Sequence, residues 1–207
     1  MTSTPDRIMA RINRALGGPG AVVTAKDFVD VAERAAVDQA LVRLVRAGTL
    51  IRVRRGLYHM PRVNERLGIT LPPDADAVAD AVGRQTGSAV APSDAVVANR
   101  LGLSTQVPAK HVYMTTGRSR VMRIGGQTIR FRRVSSRRLP SAAPEVTQAL
   151  QALRSAGPDP DIATIAAVRR SLSARQRRAF ARHAQYDTHW IAASARRVLA
   201  DPSKARG

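Results

Sequence analysis

With 207 residues, 44% of them hydrophobic, the chain is long enough for one large or two small domains, and its lack of cysteine excludes a disulfide framework, a zinc-thiolate site and a catalytic thiol. No apolar run approaches the roughly 20 residues of a membrane span, and Met1 to Ala10 lacks the apolar stretch of a secretory signal, so a cytoplasmic protein is expected. The formal net charge of +19 calls for a polyanionic partner and is unevenly spread, with +6 over residues 1 to 62, −2 over 63 to 109, +9 over 110 to 138 and +6 over 139 to 207. Arginine so outnumbers lysine that part of this excess reflects GC-rich codon usage.

In chain order, Ser3 or Thr4 caps a first helix with Pro5 in its first turn and Ile8, Ile12 and Leu16 at helical spacing; Gly17-Gly18-Pro19-Gly20 ends it. Thr24 caps a short second helix, Ala25 to Val31. A third helix runs from Ala35 to Ala47, with Val37, Ala40, Leu41, Leu44 and Val45 on one stripe and Gly48 at the left-handed C-cap position. Leu50 to Arg54 and Leu57 to Met60 read as a hairpin turning at Arg55-Gly56, and Pro61 closes the unit. Residues 63 to 74 read as a connector with little regular structure of its own, which divides the chain into a domain over 1 to 62 and a second over 75 to 200, followed by a tail over 201 to 207.

The second domain is predicted to contain helices over Asp76 to Gln85 and Asp94 to Leu101, the latter capped by Ser93 and ended by Gly102. Strands are expected over His111 to Thr115, Arg120 to Ile124 and Gln127 to Val134, the last two joined at Gly125-Gly126. After Pro140 the pattern is helical near Pro144 to Ala156, Ile162 to Ser171, Ala174 to Ala184 and His189 to Leu199, with Ser173 and Thr188 as caps. The fold class read from this order is α+β, a winged helix-turn-helix followed by a mixed α/β domain ending in several helices.

Helix, helix, turn, helix and basic hairpin is the order of a winged helix-turn-helix, whose third helix enters the DNA major groove while the hairpin flanks it. At 100° per residue the outward face of the third helix is Ala35, Gln39, Val42 and Arg46, flanked by Ala36 and Arg43. The two alanines permit close approach, Gln39 suits bidentate pairing with adenine, and Arg43 suits guanine or, like Arg46, phosphate. Arg34 opens the helix beside them. Asp38 dissents, unless it accepts from a cytosine amine or pairs with Arg34 or Arg43. In the hairpin, Ile51 and Val53 share one face, so Arg52 and Arg54 share the other, and Arg55 stands at the tip. Thr24 and Lys26 stand where this architecture touches the DNA backbone. The alternative is a bundle and hairpin serving protein contact, with the arginines as a solvated face.

The stretch from Val37 to Tyr58 (VDQALVRLVRAGTLIRVRRGLY) resembles the winged-helix module of AbiE-type antitoxins. The likeness continues through Ala91 to Pro108 (APSDAVVANRLGLSTQVP), Tyr113 to Gly117 (YMTTG) and the Gly125-Gly126 hairpin. The resemblance covers roughly residues 1 to 140. It implies an actinobacterial antitoxin whose gene neighbours a nucleotidyltransferase-like toxin, whose first domain represses their shared promoter on double-stranded DNA, and whose remainder counters the toxin. Antitoxins of this kind act by direct neutralisation or by promoting serine phosphorylation of the toxin. An enzyme, an atypical serine kinase using ATP and magnesium, is therefore the alternative. A single winged helix contacts one half-site, so a homodimer on DNA is expected.

Residues 110 to 138 carry a second basic cluster, in which Arg120, Arg123, Arg130, Arg132 and Arg133 would extend a DNA footprint or dock on an acidic partner. Arg130 and Arg132 share one strand face and Ile129 and Phe131 the other. For chemistry the yield is low. The Gly17 to Gly20 run lacks the lysine of a phosphate-binding loop and lies between helices, His183, Asp187 and His189 span a helix break, Trp190 reads as core, and no kinase signature is present. No catalytic residue, metal or resident cofactor is assigned.

Overall fold

The structure is a computed structural model and describes residues 3–103, 111–136, 138–139 and 143–200. Among these residues the chain is mixed α+β, with eight α-helices, one 3-10 helix and three small sheets. It divides into two compact units, Met1–Val90 with Arg120–Arg130, and Ala91–Ser119 with Phe131–Gly207.

The first unit opens with α1, Thr4–Ala15. Ser3 and Asp6 form its capping box, each side chain accepting the other's backbone N–H, so two orphan donors of the first turn are satisfied. Ile8 and Ile12 are buried against Phe28, Val37, Leu41 and Leu50, which makes one core from α1, the 3-10 helix (Ala25–Phe28), α2 (Arg34–Arg46) and the sheet. That sheet is antiparallel with order β1-β3-β2, where β1 is Val22–Val23, β2 is Ile51–Arg54 and β3 is Leu57–His59. The central strand β3 is buried throughout.

At four points of this unit the structure differs from or adds to the sequence reading. The second helix is a single 3-10 turn in place of an α-helix over Ala25 to Val31. Ala25, Phe28 and Val31 are buried, Val29 is 73% exposed, and the Val31 N–H donates to the Phe28 carbonyl in a three-residue step that never becomes an α-helical ladder. Val22–Val23 form a strand that the sequence reading passed over, because two residues carry no alternation. Residues 62–71 carry regular structure: β4 (Arg62–Asn64) and β5 (Ile69–Leu71) pair as a hairpin, with Val63 opposite Thr70. The Asn64 carbonyl accepts from the N–H groups of Leu67 and Gly68, and Gly68 has φ +64°, so the loop closes tightly. Finally, Ile51 is 42% exposed, because β2 is the edge strand, and a bulge between Arg52 and Arg54 breaks strict alternation.

The next helix, α3 (Ala75–Thr86), is capped by the Asp74 carboxylate accepting from the N–H groups of Asp76 and Ala77. It packs against β1 and the 3-10 helix. It therefore counts with the first unit, where the sequence reading assigned it to the second domain.

A four-stranded sheet has the order β6-β7-β9-β8, with β6 at Val90–Pro92, β7 at His111–Thr115, β8 at Arg120–Ile124 and β9 at Gln127–Arg133. Gly125 and Gly126 both have positive φ, +56° and +80°, the conformation a two-residue hairpin needs to match the strand twist. The helices of the second unit are α4 (Asp94–Arg100), α5 (Pro144–Ala156), α6 (Ile162–Arg170), α7 (Ala174–Ala184) and α8 (His189–Leu199). Val97, Leu150, Leu153, Val168, Phe180 and Ile191 are the centre of its core. Asp161 caps α6, and Ser173 with Gln176 forms a capping box on α7. The Gln106-Val107-Pro108 part of the motif, Lys110, Arg137 and the tail over 201–207 lie outside the described residues.

Candidate nucleic-acid interface

The charged surface of the first unit is built on α2. Its stripe Val37, Ala40, Leu41 and Leu44 is buried, which fixes the rotation of the helix and turns Ala35, Ala36, Gln39, Val42, Arg43 and Arg46 outward. Val45 is only partly buried at the edge of the stripe. Arg34 Nε donates to Asp38 at 2.8 Å, so the one carboxylate of this helix is occupied by a neighbouring guanidinium. Gly48, at φ +73°, ends the helix, and the N–H groups of Thr49 and Leu50 both donate to the Leu44 carbonyl. The chain thus enters β2 directly from the last turn of α2.

Arg52, Arg54 and Arg55 are exposed on the β2–β3 hairpin. Arg52 pairs with Tyr58 and Arg54 with Leu57, leaving Val53 as the extra residue of the bulge. Among the described residues none of Arg43, Arg46, Arg52, Arg54 and Arg55 forms an ion pair. Lys26 is exposed on the 3-10 helix. Thr24 is a correction: it is 1% exposed, with a buried hydroxyl, and so presents no side chain to a partner.

Two residues of α3 that the sequence reading passed over reach these elements. Arg84 Nε donates to Asp27 at 2.8 Å, and its Nη2 donates to the Val22 carbonyl at 2.8 Å. The Asp27 carboxylate also accepts the Thr24 N–H at 2.8 Å. Gln85 Nε2 donates to the Arg55 carbonyl at the hairpin tip, 3.3 Å away. No sequence signal marks either residue, since both contacts join distant segments of chain.

Of the second basic cluster, Arg123, Arg130, Arg132 and Arg133 are exposed and Arg120 is half-buried, while Ile129 and Phe131 are buried as alternation requires. Arg132 and Arg133 line a cleft of about 500 Å³ with Asp94, Val112 and Arg138, and Arg138 is paired with Asp94.

A family model described as "Family of unknown function (DUF6088)" matches residues 7–176. The chain belongs to this family. No curated protein and no solved structure matches it. In this DUF6088 chain Asp187, of the grouping His183, Asp187 and His189, pairs with Arg154 and accepts the Thr188 N–H at 2.8 Å at the start of α8. Trp190 packs on the core of the second unit while remaining partly exposed. Among the described residues of this DUF6088 chain, no group of three His, Asp or Glu side chains is placed to hold a metal ion, and no helix is long and apolar enough to cross a membrane.

Proposed function

We propose that the first unit is a winged helix-turn-helix that binds double-stranded DNA, with α2 as the recognition helix and the β2–β3 hairpin as the wing. One observation carries this reading: five exposed arginines without ion-pair partners among the described residues, Arg43, Arg46, Arg52, Arg54 and Arg55, lie on two elements joined through the Leu44 carbonyl. Unpaired guanidinium groups keep their full charge for phosphate, and Ala35, Ala36 and Gln39 leave the N-terminal half of α2 small enough to meet base edges. The resemblance to AbiE-type antitoxins supplies the setting. In that setting the chain represses the promoter it shares with a nucleotidyltransferase-like toxin and antagonises that toxin, with two copies occupying two half-sites.

The test is retention of DNA from immediately upstream of the chain's own gene. Arg43→Ala and Arg52→Ala should each weaken binding, and each lost phosphate contact should lower the slope of log affinity against log salt by about 0.9. Retention identical to the parent in both variants would sink the assignment. Co-expression with the product of a neighbouring nucleotidyltransferase gene tests the antitoxin part, and growth arrest that this chain fails to relieve would remove it.

A further inference from the structure

We infer that Arg84 and Gln85, consecutive residues of α3, are positioning residues for the DNA-contacting surface, one holding the 3-10 helix and the other the tip of the wing. This rests on the DNA-binding reading above and adds the element that sets the geometry of its parts. The wing tip has few restraints of its own: β2 is an edge strand, and the ladder beside the tip is interrupted by the bulge. Gln85 supplies the missing restraint by donating to the Arg55 carbonyl. Its amide is seated against Gly56, which has φ +74°, so closely that a Cβ built there would lie 2.4 Å from Gln85 Nε2. The turn and the glutamine fit because residue 56 has no side chain.

Arg84 acts on the other part. By donating to both Asp27 oxygens and to the Val22 carbonyl, it ties the 3-10 helix to β1. It also neutralises a carboxylate next in sequence to Lys26, on the element that this architecture sets against the phosphate backbone. Neither residue belongs to the reading elements themselves, so both act through the groups they hold. Fixing those groups beforehand removes ordering cost from the binding step.

The experiment pairs amide hydrogen exchange of the free protein with retention of the same upstream DNA. Gln85→Met keeps the bulk of the side chain and removes its donor. It should speed exchange at residues 55–57 while leaving α2 protected, and lower DNA affinity roughly fivefold, as expected for one neutral hydrogen bond, with the salt slope unchanged because the same phosphate contacts form in the complex. Exchange at the tip equal to the parent overturns the brace. Faster exchange with unchanged affinity overturns its role in binding. The double variant Arg84→Met/Asp27→Asn removes the ion pair without stranding a buried charge, and unchanged affinity in a folded double variant overturns the role of Arg84. Arg52→Ala in parallel keeps the two ideas apart: no weakening there removes the DNA reading itself, and this inference with it.

Discussion

Arg84 and Asp27 meet across 57 residues of chain, with the guanidinium on α3 and the carboxylate on the 3-10 helix. The Asp27 side chain is only 6% exposed, whereas Arg84 remains 40% exposed. Removing the arginine leaves a carboxylate in poor contact with water, and removing both partners does not. Arg84→Met should therefore destabilise the first unit by about 1–3 kcal/mol, the exposure of Arg84 keeping the loss below that of a fully buried pair. Adding Asp27→Asn should restore part of the loss. Urea unfolding of the two single variants and the double variant measures the coupling, and strictly additive losses would contradict it.

Gly56 and Gln85 give a second pairwise test. Gly56→Ala combines a left-handed backbone with a methyl group aimed at the Gln85 amide, which must swing away and release the Arg55 carbonyl. The backbone part costs about 1–2 kcal/mol. In a Gln85→Ala background the clash is absent, so the same glycine substitution should cost measurably less. Equal costs in both backgrounds would show that the contact is not felt.

Asp161 caps α6 by accepting the Thr164 N–H at 2.7 Å, and that backbone hydrogen bond holds its carboxyl below the usual carboxylate range. Because its folded-state pKa lies below the unfolded value, the stabilisation is present above the unfolded pKa and is lost as pH falls through the folded one. Asp161→Ala should lower Tm at neutral pH, and the gap from the parent should close in acid. A gap that stays constant down to strongly acidic pH would rule out the charged cap.

Asp80 is the opposite case. Although Asp80 is exposed on α3, partial desolvation by its neighbours holds its carboxyl above the ordinary value of 3.8, against the pull of Arg84 and with help from Asp76 and Asp74. A raised folded-state pKa means that the ionised form disfavours folding, so the relative stability present below the unfolded pKa is lost as pH rises through the folded one. Asp80→Asn should raise Tm at neutral pH and lose that advantage in acid. Thermal melts of parent and variant across the acid range decide it, and an advantage independent of pH would refute the charge explanation.

Much of this fold was legible locally. Ser3 with Asp6 and Ser173 with Gln176 announce helix starts through chemistry confined to four residues, and Val37, Leu41 and Leu44 give the rotation of α2, hence which arginines face outward. The strands His111–Thr115 and Arg120–Ile124 follow their β-rich patterns at both ends, and the Gly125-Gly126 turn between β8 and β9 follows from residues that tolerate positive φ.

What sequence by itself determined is therefore the set of elements whose signal lies within a turn or a strand: the helices, the longer strands and the outward face of α2. Tertiary structure decided the rest. Val22–Val23 and Arg62–Asn64 are too short to carry a period and become strands only because a partner strand satisfies their backbone groups. Thr24 is buried and Ile51 exposed against their local patterns, because position in the sheet and the packing of α3, not residue type, set their access to solvent. The Arg84 and Gln85 contacts are the extreme case: hydrogen bonds between segments 57 and 30 residues apart leave no trace in local propensity, since only the folded core brings those groups within reach.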